Sequence, residues 1–547
     1  MNKLEIISQT NSGEPRDVDG QLQNPLGICS IALTTPFSHE HYPLAILSLA
    51  GAVFRSQPDL HRTTLVRALE PDGIINYVRV NKPDILALSS PQGTLTTLDQ
   101  TLTRLVQFPS EKRPRIILGS SLPSYLAKRF FNKYPELPIT IIGGWGEDAF
   151  AEEVRSHSIK KPKSGQTFIN GAYPKNYPRQ EGIPQNNGGV VFHYPRIEAS
   201  RGCFWGICSF CLRPWNEKQG RWKQYDPEDI LSQITDILRL GYTGYFEFTD
   251  EEPLGNNIGR FQEIMKGLLT IKADYPTLTF GINMRADHVI SPQPERQEQY
   301  DEFLRVAKAA GLTMVWMGAE SYSHSHLQVL NKGPHVTPDT NLKAAKKLDN
   351  LGIGVLQGFI PYHPLSTWRE LIEMADFMKP HISFLARVIS SPFGFLRVQY
   401  NTPYVEVAKE VENATNKHLL YDLDENMLTY HCKYRDPSIG LHVAYMRLVY
   451  DWINPFMKQL TVEALTGNEN SRDKLNRLRS VGLRLFVNGI QRSEPLKGDL
   501  PELEKEQLKV IDEYRREVSS LGIDGIDVRE FDEFMWKNLA EYQSKFL

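Results

Sequence analysis

The chain has 547 residues, 41% hydrophobic and 23% charged, an ordinary globular balance too long for one core, so several domains are expected. Its 62 Lys and Arg against 65 Asp and Glu leave a net charge of −3, which argues against a general polyanion binder, and no nucleic-acid partner is expected. Five cysteines are too few and too odd for a disulfide framework, and no apolar run reaches membrane-spanning length.

The segment from Met1 to Gln9 lacks the apolar core of a secretion signal, so a cytoplasmic location is expected. Residues 1–155 read as alternating strands and helices. Leu26 to Leu33, Asp84 to Ser90, Arg115 to Ser120 and Ile139 to Gly144 are strand-length apolar runs, and Tyr42 to Phe54 is a helix. Continuous apolar strands predict a parallel sheet covered on both faces, a doubly wound domain of the Rossmann-like (flavodoxin-like) kind. Such sheets bind ligands beyond the carboxyl ends of their strands. Residues 156–192 are rich in Pro, Gly, Asn and Lys without periodicity and read as a linker.

A second alternating series fills 193–399. Apolar runs centre on Ile197, Phe246, Phe280, Val315, Leu356 and Phe384. Asp226-Pro227 and Thr337-Pro338 open intervening helices, and Gly241 and Gly352 close them. The pattern predicts a partial (β/α)6 TIM-like barrel with its site at the carboxyl ends. Residues 400–547 read as a helical C-terminal domain with amphipathic stretches at Leu441–Leu460, Ser471–Phe486 and Glu502–Leu521. It is expected to close the barrel mouth, with Tyr400, Tyr404, Tyr430, His431, Cys432, Tyr445 and Trp452 as candidates for the pocket wall. For Cys432 a buried packing role stands against a catalytic one.

The most informative stretch is Ser200-Arg201-Gly202-Cys203-Phe204-Trp205-Gly206-Ile207-Cys208-Ser209-Phe210-Cys211, directly after the first expected barrel strand. Three thiolates spaced Cys-x4-Cys-x2-Cys on one loop suit three corners of an iron–sulfur cubane and leave one iron open for chemistry. Structural zinc is the alternative; it needs a fourth ligand, and His193 is the nearest upstream candidate.

On these residues the chain resembles the radical S-adenosylmethionine (SAM) enzymes. Their commonest spacing is Cys-x3-Cys-x2-Cys, and the longer first gap with an aromatic-Trp-Gly insert resembles some cobalamin-associated members. The resemblance implies that Cys203, Cys208 and Cys211 hold a 4Fe-4S cluster and that Phe210 packs near the adenine of SAM. It further implies SAM contacts from Asp250 and Glu251 after the second strand, Arg285 after the third, Glu320 at the end of the fourth and Gln357 on the fifth. A barrel salt bridge is the competing role for Arg285 and Glu320.

Residues 25–155 resemble the cobalamin-binding domain that precedes many radical SAM proteins, on Pro43–Ala50, Lys82–Ser89, Ile117–Gly119 and Gly143-Gly144-Trp145-Gly146-Glu147. The implied corrin contacts are Ser89, Ser90, Gly119, Ser120, Gly143, Gly144 and Glu147. The lower-face histidine motif of cobalamin mutases is missing: Asp59-Leu60-His61 is followed by Thr64 where the motif has Gly, and His39 and His41 lack the motif. A degenerate domain that binds no corrin is the alternative.

The resemblance implies a cobalamin-dependent radical SAM methyltransferase acting on an unactivated carbon of a small metabolite, natural-product intermediate or peptide. The runner-up rearranges, cyclises or cleaves its substrate without methyl transfer; the third reading is a non-catalytic cluster or corrin binder. An electron donor of the flavodoxin or ferredoxin type is implied.

Overall fold

The computed structural model describes residues 5–8, 29–34, 44–56, 61–67, 70–159, 165–172, 174–181, 183, 194–212, 222–465, 468–523 and 526–547. The N-terminal sheet contains β1 (Glu5–Ser8), β2 (Cys29–Thr34), β3 (His61–Arg67), β4 (Ile85–Ser89), β5 (Arg115–Gly119), β6 (Ile139–Gly144) and β7 (Thr167–Gly171). All pairs are parallel, in the order β1-β3-β2-β4-β5-β6-β7. The stretch read as linker thus contributes β7, the far edge of this sheet.

Strand β4 shows why its residues are all apolar. Ile85 and Ala87 enter a core that runs on into the barrel, while Leu86 and Leu88 enter a second core with Leu98, Leu102 and Leu105 of the helix Leu95–Val106. Both faces are covered, so no polar alternation survives. The strand order reverses between β2 and β4, which places a ligand crevice beside the carboxyl end of β4.

The second sheet contains β8 (Arg196–Ile197), β11 (Tyr245–Phe248), β12 (Thr279–Met284), β13 (Leu312–Glu320) and β14 (Gly354–Phe359), all parallel in the order β14-β13-β12-β11-β8. A two-stranded antiparallel ribbon, β9 (Ser200–Gly202) with β10 (Trp222–Gln224), follows β8 and brackets the cysteine segment. The helices Pro227–Arg239, Ile258–Asp274, Pro294–Ala310, Pro338–Asn350 and Trp368–Met378 cover the outside. The apolar run at Phe384 is not a sixth strand. It is a helix, Ile382–Val388, and only Ile389 after it bridges to Gln357 in parallel. The result is an open, incomplete barrel.

Among the described residues the C-terminal domain carries four long helices: Pro437–Leu465, Glu469–Ser493 and Leu500–Ser520 over the three expected stretches, and Val528–Phe546 beyond them. Before them stands a hairpin, β15 (Leu420–Asp424) with β16 (Thr429–Cys432). Tyr430, His431 and Cys432 therefore lie on a strand, not a helix. Tyr445 and Trp452 are buried in the helical core, which removes them from any pocket wall. Among the described residues no helix is long and apolar enough to cross a membrane.

Candidate functional site

The cysteine loop leaves β9 through Gly202 and turns again at Gly206, both in the left-handed region (φ 80° and 56°) that favours glycine. The Gly206 amide donates to Cys203 Sγ at 3.5 Å, and the Cys211 amide to the Cys208 carbonyl at 3.2 Å. The loop is stitched to the segment after β13. Ser209 donates through its amide to Leu330 O (3.1 Å) and through its hydroxyl to Val329 O (2.8 Å). Trp205 Nε1 donates to Asn331 O, and Asn331 Nδ2 donates to Ile207 O, each at 2.8 Å. The Leu330-Asn331-Lys332-Gly333 segment is thus the cradle of the loop. A Cβ on Gly333 (φ 98°) would stand 2.8 Å from the Trp205 ring, so only glycine seats that indole.

Residue faces sort the expected SAM contacts. Along β13 the fully buried Val315, Met317 and Ala319 point to the outer helices, and the half-buried Trp316, Gly318 and Glu320 share the other face. Along β14, Val355, Gln357 and Phe359 are buried, whereas Leu356 and Gly358 are half-buried. A Cβ on Gly318 or Gly358 would lie 2.9 or 3.0 Å from a Glu320 carboxylate oxygen, so these glycines open the barrel mouth for Glu320. Glu320 itself sits at φ 62° on a β13 irregularity and pairs with Lys332 at 3.3 Å. It therefore stays in the site, beside the cysteine loop.

Two expected contacts point elsewhere. Gln357 faces the outer layer, accepting from the Tyr322 hydroxyl at 2.5 Å and donating to Asn341 O at 3.2 Å. Asp250 follows Phe246 and Phe248 in alternation and is buried. Its carboxylate accepts from the Ala199 amide (3.1 Å) and the Ser200 hydroxyl (2.6 Å), bracing the turn into the loop. Burial pushes its carboxyl up to about 6. Asp250 thus positions the loop and has no oxygen directed to a ligand's ammonium.

Arg285 is also committed. It forms a two-pronged pair with Asp287 (2.9 Å for each bond), donates to Lys332 O at 2.8 Å and stacks on Trp205 at 4.7 Å. The salt-bridge alternative holds for Arg285, with Asp287 as the partner. Phe210 is half-buried against the neighbouring cluster, whose members include Leu365, Leu396 and Tyr404. Glu251, half-buried, lies on the Thr249 side of the strand end.

The expected contacts did not include His288, and they gave no role to Trp205, Glu252 or Lys332, although the motif segments contain those three. Glu252 is buried, accepts from the Gly255 amide at 2.6 Å and meets His288 Nδ1 at 2.8 Å. The aromatic-Trp-Gly insert was the available signal for Trp205. Burial raises the Cys203 and Cys208 thiols, and at Cys208 the nearby Lys332 and Arg285 cations pull the other way. These thiols and cations fit a 4Fe-4S cluster, whose corners spread the sulfurs and whose thiolate charge needs compensation. Among the described residues no three His, Cys, Asp or Glu side chains gather around one point as a single zinc ion requires, and His193 lies outside them.

The N-terminal sheet presents the other expected contacts. Ser89, Gly119 and Ile142 are in register across β4, β5 and β6, so Ser89, Ser90, Gly119, Ser120, Gly143 and Gly144 share one carboxyl edge. Among the described residues the Ser90 hydroxyl and Gln92 Nε2 are buried without a hydrogen-bond partner, at the crevice the strand order creates. Two orphaned polar atoms at a sheet's switch point fit the polar periphery of a corrin. Ser120 and Gly144 turn the chain away in the left-handed region. Phe168 covers Gly143, where a Cβ would stand 2.8 Å from its ring. His39, His41, Asp59 and Leu60 lie outside the described residues, as does the side chain of His61.

Glu147 has a different task from the expected one. Its carboxylate forms a two-pronged ion pair with Arg201, at 2.7 and 2.5 Å, and Arg201 also donates to Glu198 at 2.6 Å. Arg201 lies over Trp145 at 5.1 Å. The Gly-Glu end of the first domain is therefore bolted to the strand that starts the cysteine loop. The hairpin bolts the other side: Asn426 accepts from the Leu95 amide at 2.9 Å, Glu425 pairs with Arg129 at 2.8 Å, and Leu428 enters the N-terminal core. Tyr125 of that domain meets Tyr400 edge-on at 5.8 Å and lies within electrostatic reach of Cys211.

The radical SAM superfamily profile matches residues 197–378. The barrel belongs to the radical SAM superfamily. The chain is similar to the 4′-phospho-dehydrooxetanocin synthase of Priestia megaterium, 24% identical over 429 residues, 72% of this chain and 56% of that protein. It thus spans little more than half of that relative's length. Among solved structures, the cobalamin-dependent S-adenosylmethionine radical enzyme OxsB with aqua-cobalamin bound superposes over 94% of this chain and 84% of its own (TM-score 0.75, 19% identity). The radical S-adenosylmethionine methyltransferase TsrM from Kitasatospora setae superposes over 70% of this chain and 75% of its own (TM-score 0.51, 15% identity). At these identities the likeness shows a shared fold.

Proposed function

We propose that the protein is a cobalamin-dependent radical SAM enzyme acting on a small molecule held between the barrel mouth and the carboxyl edge of the N-terminal sheet. The observation that carries this reading is the two-pronged ion pair that ties Arg201, on the strand that starts the cysteine loop, to Glu147 at the carboxyl edge of the N-terminal sheet. When bound, a reduced cluster supplies the electron that cleaves SAM, and a corrin supplies a second reactive centre. The chain's own residues orient and enclose. Trp205, Asn331 and Gly333 hold the loop, Glu320 and Lys332 place opposite charges beside Cys208, and Ser90 and Gln92 offer polar contacts to a corrin. The hairpin tip closes the chamber to water on the C-terminal side.

Of the expected chemistries, radical transformation without methyl transfer is the better supported. The likeness extends over nearly the whole chain for OxsB, and the sequence relative is named a synthase. Methyl transfer is the second reading, favoured by the partial likeness to TsrM. The expected partner is a flavodoxin- or ferredoxin-type electron donor. The test is anaerobic reconstitution with hydroxocobalamin, SAM and a chemical reductant, followed by product analysis. 5′-Deoxyadenosine without S-adenosylhomocysteine supports the first reading, and S-adenosylhomocysteine in comparable amount puts methyl transfer ahead. Neither product would overturn an enzymatic role and favour a cluster or corrin binder.

A further inference from the structure

An open cavity of about 590 Å³ lies where the segment after β14 meets the C-terminal domain. Its walls include Thr367, Trp368, Lys417, Arg435, Asp436 and Lys497. Three cations thus face one acid, and that acid is already engaged: Asp436 Oδ1 accepts from the Ser438 amide at 2.9 Å and the Ser438 hydroxyl at 2.6 Å. Glu370, the carboxylate within electrostatic reach of Arg435, is occupied as well. Its Oε2 accepts from the Thr367 amide at 2.7 Å and the Thr367 hydroxyl at 3.1 Å in a capping box.

The Arg435 guanidinium makes no hydrogen bond or ion pair among the described residues, although its backbone is fixed by an amide bond to Pro364 O at 2.9 Å. Lys417 Nζ donates to Arg435 O at 2.9 Å, which anchors the ammonium beside the guanidinium and leaves further N–H groups to donate. Lys497 pairs with Glu494, but the lysine is exposed and the glutamate only half-buried, so this pair is screened by solvent. A planar guanidinium without a carboxylate, flanked by two ammonium groups, matches a phosphate oxyanion. The helices Trp368–Met378 and Pro437–Leu465 start at the same cavity; their caps already use first-turn amides, so they add positive field and no donors on which the site depends. The volume lies in the small-molecule range and exceeds that of a bare phosphate, while Trp368 and Pro437 supply apolar wall.

We propose that this cavity binds a phosphorylated small molecule, at a site separate from the cysteine loop. Buried His363 connects the two regions: its Nδ1 meets the Tyr404 hydroxyl at 2.8 Å, and the Tyr404 amide donates to Ser209 O at 2.8 Å.

Calorimetric titration of the reconstituted holoprotein, saturated with SAM, tests the proposal with pyrophosphate, adenosine 5′-monophosphate and adenosine as probes. Pyrophosphate and the monophosphate bind, adenosine does not, and affinity falls as salt rises. Arg435→Gln and Lys417→Gln each weaken anion binding by about tenfold or more with iron and corrin content unchanged. Lys417 is exposed, so that variant carries the test should the Arg435 variant fold poorly. No anion binding at millimolar ligand, or equal affinity in wild type and both variants, overturns the proposal. Iron content and SAM cleavage, read in parallel, decide the radical SAM reading independently of this result.

Discussion

The bolt between the N-terminal domain and the barrel gives a sharp prediction. Arg201 and Glu147 have side chains only 7% and 6% exposed, and Glu198 is 17% exposed. Arg201→Met removes one cation and leaves two buried carboxylates without their partner. Breaking a buried pair in this way costs about 3–5 kcal/mol, most of it the stranded charge. Glu147→Gln is milder, because Arg201 keeps Glu198 and the amide still offers an acceptor, so about 1–2 kcal/mol is expected. The double variant costs less than the sum, since the two residues act as one unit. Urea titration of cluster-free protein reports this through tryptophan emission, because Trp145 lies under Arg201. For a slope of about 3 kcal/mol per molar, Arg201→Met moves the first transition down by roughly 1–1.7 M. A shift below about 0.5 kcal/mol, or a larger loss in Glu147→Gln than in Arg201→Met, would refute the reasoning.

Other predictions follow from the same contacts. Burial, with Glu147 and Asp250 adding, pushes Glu198 up to about 7, so the folded chain holds that proton longer than the unfolded one. This contribution should be fully present below pH 4.5 and be lost, by at most about 3 kcal/mol, as pH rises through 7, with Glu198→Gln flattening the dependence; equal urea midpoints at pH 5 and 8 would contradict it. Ala at Cys203, Cys208 or Cys211 should abolish the iron chromophore and reductive SAM cleavage while circular dichroism stays native. Gly333→Ala forces a Cβ toward the Trp205 ring at positive φ and should cost about 1–3 kcal/mol and lower retained iron. Asn426→Ala removes the acceptor of the Leu95 amide and should increase hydrogen exchange at the start of that helix, with a loss of about 1 kcal/mol; unchanged exchange there would sink the idea that the hairpin braces the N-terminal domain.

Much of the architecture was readable because apolar periodicity is a local property. Strand β6 lies where the run Ile139 to Gly144 places it, and the helix Pro338–Asn350 starts at Thr337, whose hydroxyl accepts from the Thr340 amide at 3.1 Å. Phe384 misled because a short apolar run fits a buried helix as well as a strand, and Leu385, Ala386 and Val388 are buried on a helix. The hairpin at Leu420–Cys432 was hidden by its mixed polarity.

The site was legible as a loop and less so as side chains. Cysteine spacing is a covalent constraint and reads directly from the chain. Which face a strand residue occupies is not fixed by a motif. Asp250 and Gln357 match in position along the chain, yet the alternation Phe246-Phe248-Asp250 and Val355-Gln357-Phe359 turns them from the mouth. Glu147 resembled a ligand contact because its partner, Arg201, is distant in sequence and only tertiary packing brings the two together.

In the proposed enzyme the cysteine loop and the carboxyl edge of the N-terminal sheet form one chamber for a cluster and a corrin. The most direct measurement is iron, sulfide and corrin content after anaerobic reconstitution with hydroxocobalamin and gel filtration, for wild type and for Ser90→Tyr, which fills the crevice beside β4. The account predicts about four irons and one corrin per chain in wild type, and corrin loss with iron retained in the Ser90 variant. Iron without corrin in wild type, or corrin retained equally by the variant, would contradict it.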